Sequence, residues 1–104
     1  MKKITLLKPL ENISEINLDL NKIDGAAILD CERQCRMLGE VSPDVQFSKT
    51  FSALLAAKAS GVIYDDIRRL SGPDFMYVLN TISNFLFGGI SLEPETSGSS
   101  EKQS

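Results

Sequence analysis

Apolar and polar residues alternate along Ser14-Glu15-Ile16-Asn17-Leu18-Asp19-Leu20, with Ile16, Leu18 and Leu20 on one side and Glu15, Asn17 and Asp19 on the other. A period of two predicts a strand with one buried face. The earlier run Lys3-Ile4-Thr5-Leu6-Leu7-Lys8 is short and rich in β-formers. Pro9 is expected to end it, because proline has no amide to give to a ladder. With the turn-like Glu11-Asn12 between them, the two runs predict a hairpin over about residues 3–20. A lone hairpin is unstable in water, so its apolar face must lie on helices.

From Asp24 the period changes. Ile28, Cys31, Cys35 and Leu38 recur at spacings of three and four, while Asp30, Glu32, Arg33 and Arg36 fall on other faces. This predicts an amphipathic helix over about 24–38, capped by the Asp24 carboxylate, supported by Glu32 and Arg36 one turn apart, and stopped by Gly39. Ser42-Pro43-Asp44 reads as the next helix start, with a cap, a proline in the first turn and an acid at the positive dipole end. That helix, about 43–60, carries the stripe Phe47, Phe51, Leu54 and Leu55 and ends at Ser60-Gly61. A short helix follows over 64–70, with Ile67 and Leu70 inward. Ser71-Gly72-Pro73-Asp74 then opens a last helix over about 74–87. Its residues Phe75, Val78, Leu79, Ile82, Phe85 and Leu86 repeat with a period of 3.6, and Gly88-Gly89 is expected to end it. From Ser91 the chain is polar and rich in Ser, Glu and Gly, too poor in apolar surface to offset the entropy of ordering. The prediction is an α+β domain over 1–90, a hairpin followed by a small bundle of three to four helices, with a disordered tail over 91–104.

Composition narrows the chemistry. The chain has 104 residues, enough for one domain that buries about 60–65% of its unfolded surface and is stable by on the order of 5 kcal/mol. Histidine is absent, which removes Ser-His and Cys-His pairs, imidazole bases and His metal ligands. Two cysteines are too few for a structural zinc site or a disulfide scaffold. Fourteen acids against eleven bases give a net charge of -3, which disfavours non-specific binding to phosphate backbones. The basic start Met1-Lys2-Lys3 is followed by an apolar run that Lys8-Pro9 cuts short, so no export signal is read and a reducing cytoplasm is expected.

Each candidate for chemistry has a plainer reading. Cys31 and Cys35 lie one helical turn apart, where small buried thiols are the better account than a disulfide or half a metal site. Asp65-Asp66 before Arg68-Arg69 reads as a solvated helix face, since adjacent acids do not face one another. Gly72-Pro73 and Gly88-Gly89 lack the spacing and flanks of a phosphate loop. No catalytic, cofactor or metal site is assigned, and an enzyme or a small-molecule substrate is not expected. The informative stretch is 75–92, eighteen residues without a charge. Asn80, Thr81, Ser83 and Asn84 interrupt it too often for a membrane span. It is either a core helix alone or a core helix whose second face, with Tyr77, Asn80, Thr81 and Asn84, meets another protein. The Phe47 stripe carries the same two readings, because uncovered apolar surface usually marks a partner site.

Taken together, the order of elements resembles the tail assembly chaperones of contractile-tailed, Mu-like and P2-like bacteriophages and prophages. The likeness runs from about Ile4 to Gly88. It is carried by Ile4-Thr5-Leu6-Leu7-Lys8-Pro9-Leu10, Ile16-Asn17-Leu18-Asp19-Leu20, the helix from Asp24, Leu54-Leu55-Ala56-Ala57-Lys58-Ala59-Ser60-Gly61, Asp65-Asp66-Ile67-Arg68-Arg69-Leu70, Asp74-Phe75 and Phe85-Leu86-Phe87-Gly88. The resemblance implies a non-enzymatic protein that binds the tape measure protein, a long helical client, and keeps it soluble until tail-tube subunits displace it. It also implies that a frameshifted, longer product accompanies the short one in many relatives. Candidate contacts are Phe47, Phe51, Tyr77, Phe85 and Phe87, with self-association as a further possibility. The competing reading is a small helix-turn-helix-like DNA-binding regulator. Its recognition helix, 74–87, has no Lys or Arg to reach phosphates or guanines.

Overall fold

The computed structural model describes residues 1–41 and 43–91, with the side chains of 89–91 left aside. Residues 92–104 of the expected disordered tail, and Ser42 at the expected second helix start, lie outside the described residues. Strand β1 (Lys2–Leu10) pairs antiparallel with β2 (Ile13–Leu18). Four helices follow: α1 (Gly25–Met37), α2 (Lys49–Ser60), α3 (Tyr64–Arg68) and α4 (Gly72–Ser91). The α+β class, a hairpin followed by helices, is as the periodicity predicts.

The hairpin departs from expectation at Pro9, which lies inside β1 rather than ending it. Thr5 faces Glu15 and Leu10 faces Ile13, so residues 6–9 of β1 stand opposite Ser14 alone. The strand therefore bows out, and a proline is tolerated because the bulge needs no ladder donor there. Inward-pointing Ile4, Leu6, Ile16 and Leu18 are buried against the helices. After β2, the Asp19 amide donates to the Ala59 carbonyl at 3.0 Å and ties the hairpin to α2.

Asp24 caps α1 as expected, accepting the Ala27 amide at 2.9 Å. The helix stops at Gly39, whose φ of 103° suits a residue without a Cβ. The Gly39 and Glu40 amides close onto the Arg36 and Cys35 carbonyls, both at 3.1 Å. Leu38, expected on the buried stripe, is exposed because it sits beyond the last turn, and Ala27 is buried instead. Glu32 and Arg36 form the expected ion pair at 3.2 Å.

Helix α2 begins later than predicted. Val45–Phe47 form a separate 3-10 turn, and the helix starts after Ser48, which has extended backbone and accepts the Phe51 amide at 3.1 Å. The break takes Phe47 off the helical stripe. Within α2, seven residues, Phe51 to Ala56 together with Ala59, are buried. The helix touches the hairpin and every other helix, which makes it the centre of the core. Its end is set by Gly61 at φ 77°, again left-handed.

Ile67 of α3 and Leu70 after it point inward as predicted. Helix α4 runs on through Gly88 to Ser91 instead of stopping at Gly88-Gly89. Gly88 does not adopt a positive φ. A glycine in a helix costs about 1 kcal/mol relative to alanine, which is a penalty and not a stop.

Candidate functional site

The start of α4 is anchored by a carboxylate. The Ser71 hydroxyl accepts the Asp74 amide at 3.4 Å, a helix-capping arrangement. The Asp74 side chain is only 3% exposed and turns toward the bowed part of β1. Its Oδ1 accepts the Leu7 amide and its Oδ2 the Lys8 amide, each at 3.0 Å. The Ser71 hydroxyl donates to Oδ2 at 3.0 Å. The amides of Leu7 and then Lys8 hold this carboxyl below the ordinary carboxylate range. The bulge thus leaves two amides without strand partners, and Asp74 takes both. This role was missed in the sequence, where Asp74 reads only as a helix opener. A proline within a β-rich run was the available signal, since a bulge there must place its free amides somewhere.

With its N-terminus fixed, α4 presents two faces. Val78, Leu79 and Ile82 are buried, with Phe75 and Leu86 partly so. The opposite face carries Met76, Tyr77, Asn80, Thr81, Asn84 and Phe85, at the spacing that keeps side chains on one side of a helix. Together with Leu20, Pro73 and Lys2, these line an open groove of about 700 Å³. Among the described residues, Lys2 is its one charged lining residue. Met76, Tyr77 and Phe85 are 40%, 55% and 45% exposed. Among the described residues, the Thr81 hydroxyl is the groove's one hydrogen-bonded side chain, donating to the Tyr77 carbonyl at 2.9 Å.

The five candidate contacts divide into three places. Tyr77 and Phe85 share this groove. Phe47, 67% exposed, stacks instead on partly buried Phe87, with ring centroids 5.2 Å apart and planes tilted by 37°. Phe51 is 1% exposed and belongs to the core, together with Leu54 and Leu55, so it offers no contact to a partner. The expectation of an uncovered apolar stripe on this helix is corrected accordingly: α2 is enclosed by its neighbours, and only Phe47, off the helix, faces outward.

The other candidates fall where the plainer readings place them. Cys31 and Cys35 are free, buried thiols. Burial pushes the Cys31 thiol up to about 11 and the Cys35 thiol up as well, so neither is a ready nucleophile. Asp65 pairs with Arg68 at 3.5 Å and Asp66 with Arg69 at 3.1 Å on the surface of α3. Asp30 gathers Arg33, Gln34 and Lys58, the last at 3.1 Å, and bridges α1 to α2. Among the described residues no group of three or more His, Cys, Asp or Glu is placed to hold a metal ion. No helix among them is long and apolar enough to cross a membrane.

No protein-family model, curated protein or solved structure matches the chain. What remains open to a partner's side chains is the groove on α4, lined mostly by uncharged residues. Its shape and chemistry suit a helix or an extended apolar segment held by aromatic, thioether and amide side chains, without ion pairs.

Proposed function

We propose that the chain is a non-enzymatic tail assembly chaperone of a phage or prophage. In this reading it acts in the bacterial cytoplasm and holds the tape measure protein soluble until the tail tube assembles around it. The observation that carries the reading is the uncharged outer face of α4. A helical client presents apolar side chains at spacings of three and four, and a groove of Met76, Tyr77 and Phe85 offers them a matching surface. The Phe47–Phe87 pair lies off this groove and supplies a second small apolar spot. Contacts of this size are weak singly. Many copies along one long client hold it by avidity, and each copy leaves readily when tube subunits arrive. The resemblance in element order points the same way, and the role asks for no catalytic group.

The test is co-expression with a candidate tape measure protein from the same genome, followed by a soluble-fraction assay and a pull-down. The expected result is a soluble client that co-purifies, and loss of both with Phe85→Asp after circular dichroism confirms its fold. A client whose solubility is indifferent to the chain would end the chaperone reading.

A further inference from the structure

We propose that the cleft between α2, α3 and the start of α4 binds a small molecule that carries an oxyanion, a phosphate or a carboxylate, on an aromatic ring. This does not rest on the chaperone reading, and the cleft shares no lining residue with the groove on the outer face of α4. The argument begins with charge. Most basic side chains on the helices and their caps meet a carboxylate: Arg33 and Lys58 meet Asp30, Arg36 meets Glu32, Arg68 meets Asp65 and Arg69 meets Asp66. Among the described residues, Lys49, the first residue of α2, has no carboxylate partner. It lines the cleft together with Arg68. Arg68 lies over the Tyr64 ring, 5.8 Å from its centroid, and its pair with Asp65 is loose at 3.5 Å. Among the described residues, no Asp or Glu lines this cleft, so a chain of net charge -3 gathers two cations here without a matching acid in the wall. Helices α2 and α4 both begin at the cleft, at Lys49 and Gly72, and their positive ends add to the same field.

The second argument is the rest of the wall. Buried Ala53 and Leu70 and partly buried Phe75 give the cleft an apolar floor. Thr50 and Tyr64 add two hydroxyls that have no hydrogen-bond partner among the described residues and can donate to an oxyanion. A bare inorganic anion would leave the apolar floor wet, and an uncharged ring would leave both cations unmatched. A volume of about 360 Å³ is at the small end of ligand sites and suits one ring with one oxyanion. Water and salt screen the exposed cations, so burial of the ring supplies the part of the affinity that charge alone does not.

The test is a titration of the full chain followed by amide nitrogen–proton NMR at about pH 7.5, where a phosphate monoester carries close to two charges. The probes are phenyl phosphate and benzoate, with inorganic phosphate and benzyl alcohol as the anion without a ring and the ring without an anion. The expected result is a saturable shift of the Lys49, Thr50 and Gly72 amides with phenyl phosphate or benzoate, the tighter of the two identifying the oxyanion. Inorganic phosphate and benzyl alcohol should each bind at least about tenfold more weakly. Lys49→Ala and Arg68→Ala, both at exposed positions, should stay folded and each weaken binding by about tenfold. Lys2→Ala, in the other groove, should leave it unchanged. The absence of a saturable shift with both aromatic oxyanions overturns the proposal. So does inorganic phosphate that binds as tightly as phenyl phosphate, or an affinity that survives both substitutions.

Discussion

Helices α2 and α4 differ in a way that ordinary burial does not explain. α2 carries Lys49 and Lys58, yet seven of its twelve residues are buried and it touches the hairpin and all the other helices. α4 is the more apolar helix and has no charge after Asp74, yet its main contacts are α2 on one side and β1 near its start. Folding alone rewards burying the most apolar helix most deeply. A charge-free face left in water therefore points to a requirement outside the fold. α2 is apolar for the core; on the proposed reading, the outer face of α4 is apolar for another chain.

The sharpest way to break this contrast is to truncate one aromatic on each helix. Phe51→Ala opens a cavity in the core and should cost about 3–5 kcal/mol, most of the stability of a domain this small. Phe85→Ala should stay within about 1 kcal/mol of wild type in the monomer. Urea denaturation at concentrations that keep the chain monomeric measures both. Equal losses would mean that α4 is as structural as α2.

Next comes the anchor of α4. Asp74→Asn presents an amide donor to one of the two β1 amides, so the urea midpoint should fall, by less than for Phe51→Ala. The acid limb carries the same information. The carboxyl is held below its ordinary 3.8, so its contribution is present above that value and is lost as pH falls through the folded value. The Asn variant should show a flatter stability profile below about pH 4 than wild type. An unchanged acid limb would show that the strand amides do not depend on this carboxylate.

The α1–α2 packing has an alkaline signature. Burial raises the Cys31 thiol from 9.0 to about 11, which means the neutral thiol is favoured in the fold. Its contribution is complete below the unfolded value and is lost as pH rises from about 9 toward 11. Thiol-reagent labelling at pH 8 should be slow in the native chain and fast in urea. Rapid labelling of the folded chain would place Cys31 outside the core.

The smallest effect belongs to the surface of α3. Arg68→Ala or Arg69→Ala removes an exposed ion pair and should shift stability by less than about 1 kcal/mol. A larger shift would show that α3 contributes more than the inward Ile67.

Much of the fold was legible because it is local. The period of two around Ile16 and Leu18, the Asp24 cap and the Gly39 and Gly61 stops each depend on neighbouring residues. The misreadings are places where a distant partner decides. Pro9 stays within β1 because Asp74, more than sixty residues away, takes the bulge amides. Phe47 and Phe51 read as one stripe because a spacing of four fits a helix, but extended backbone at Ser48 separates them. That single break sends one ring outward and the other into the core. Tyr77 was legible for the opposite reason: a helix face without charge is visible in the sequence alone. Phe85, which the period of 3.6 puts on the inward stripe with Ile82 and Leu86, lies instead at the edge of that stripe, 45% exposed and in the groove with Tyr77.

The central claim is that the outer face of α4 is built to be covered by another chain. Its most direct test replaces Tyr77 with a photo-crosslinking benzoylphenylalanine, with the same residue at exposed Asp65 of α3 as control. Irradiation is carried out in cells that also express the tape measure protein. The account predicts a covalent adduct from position 77 to the client, and little or none from position 65. Equal yields at the two positions, or none at position 77, would contradict it.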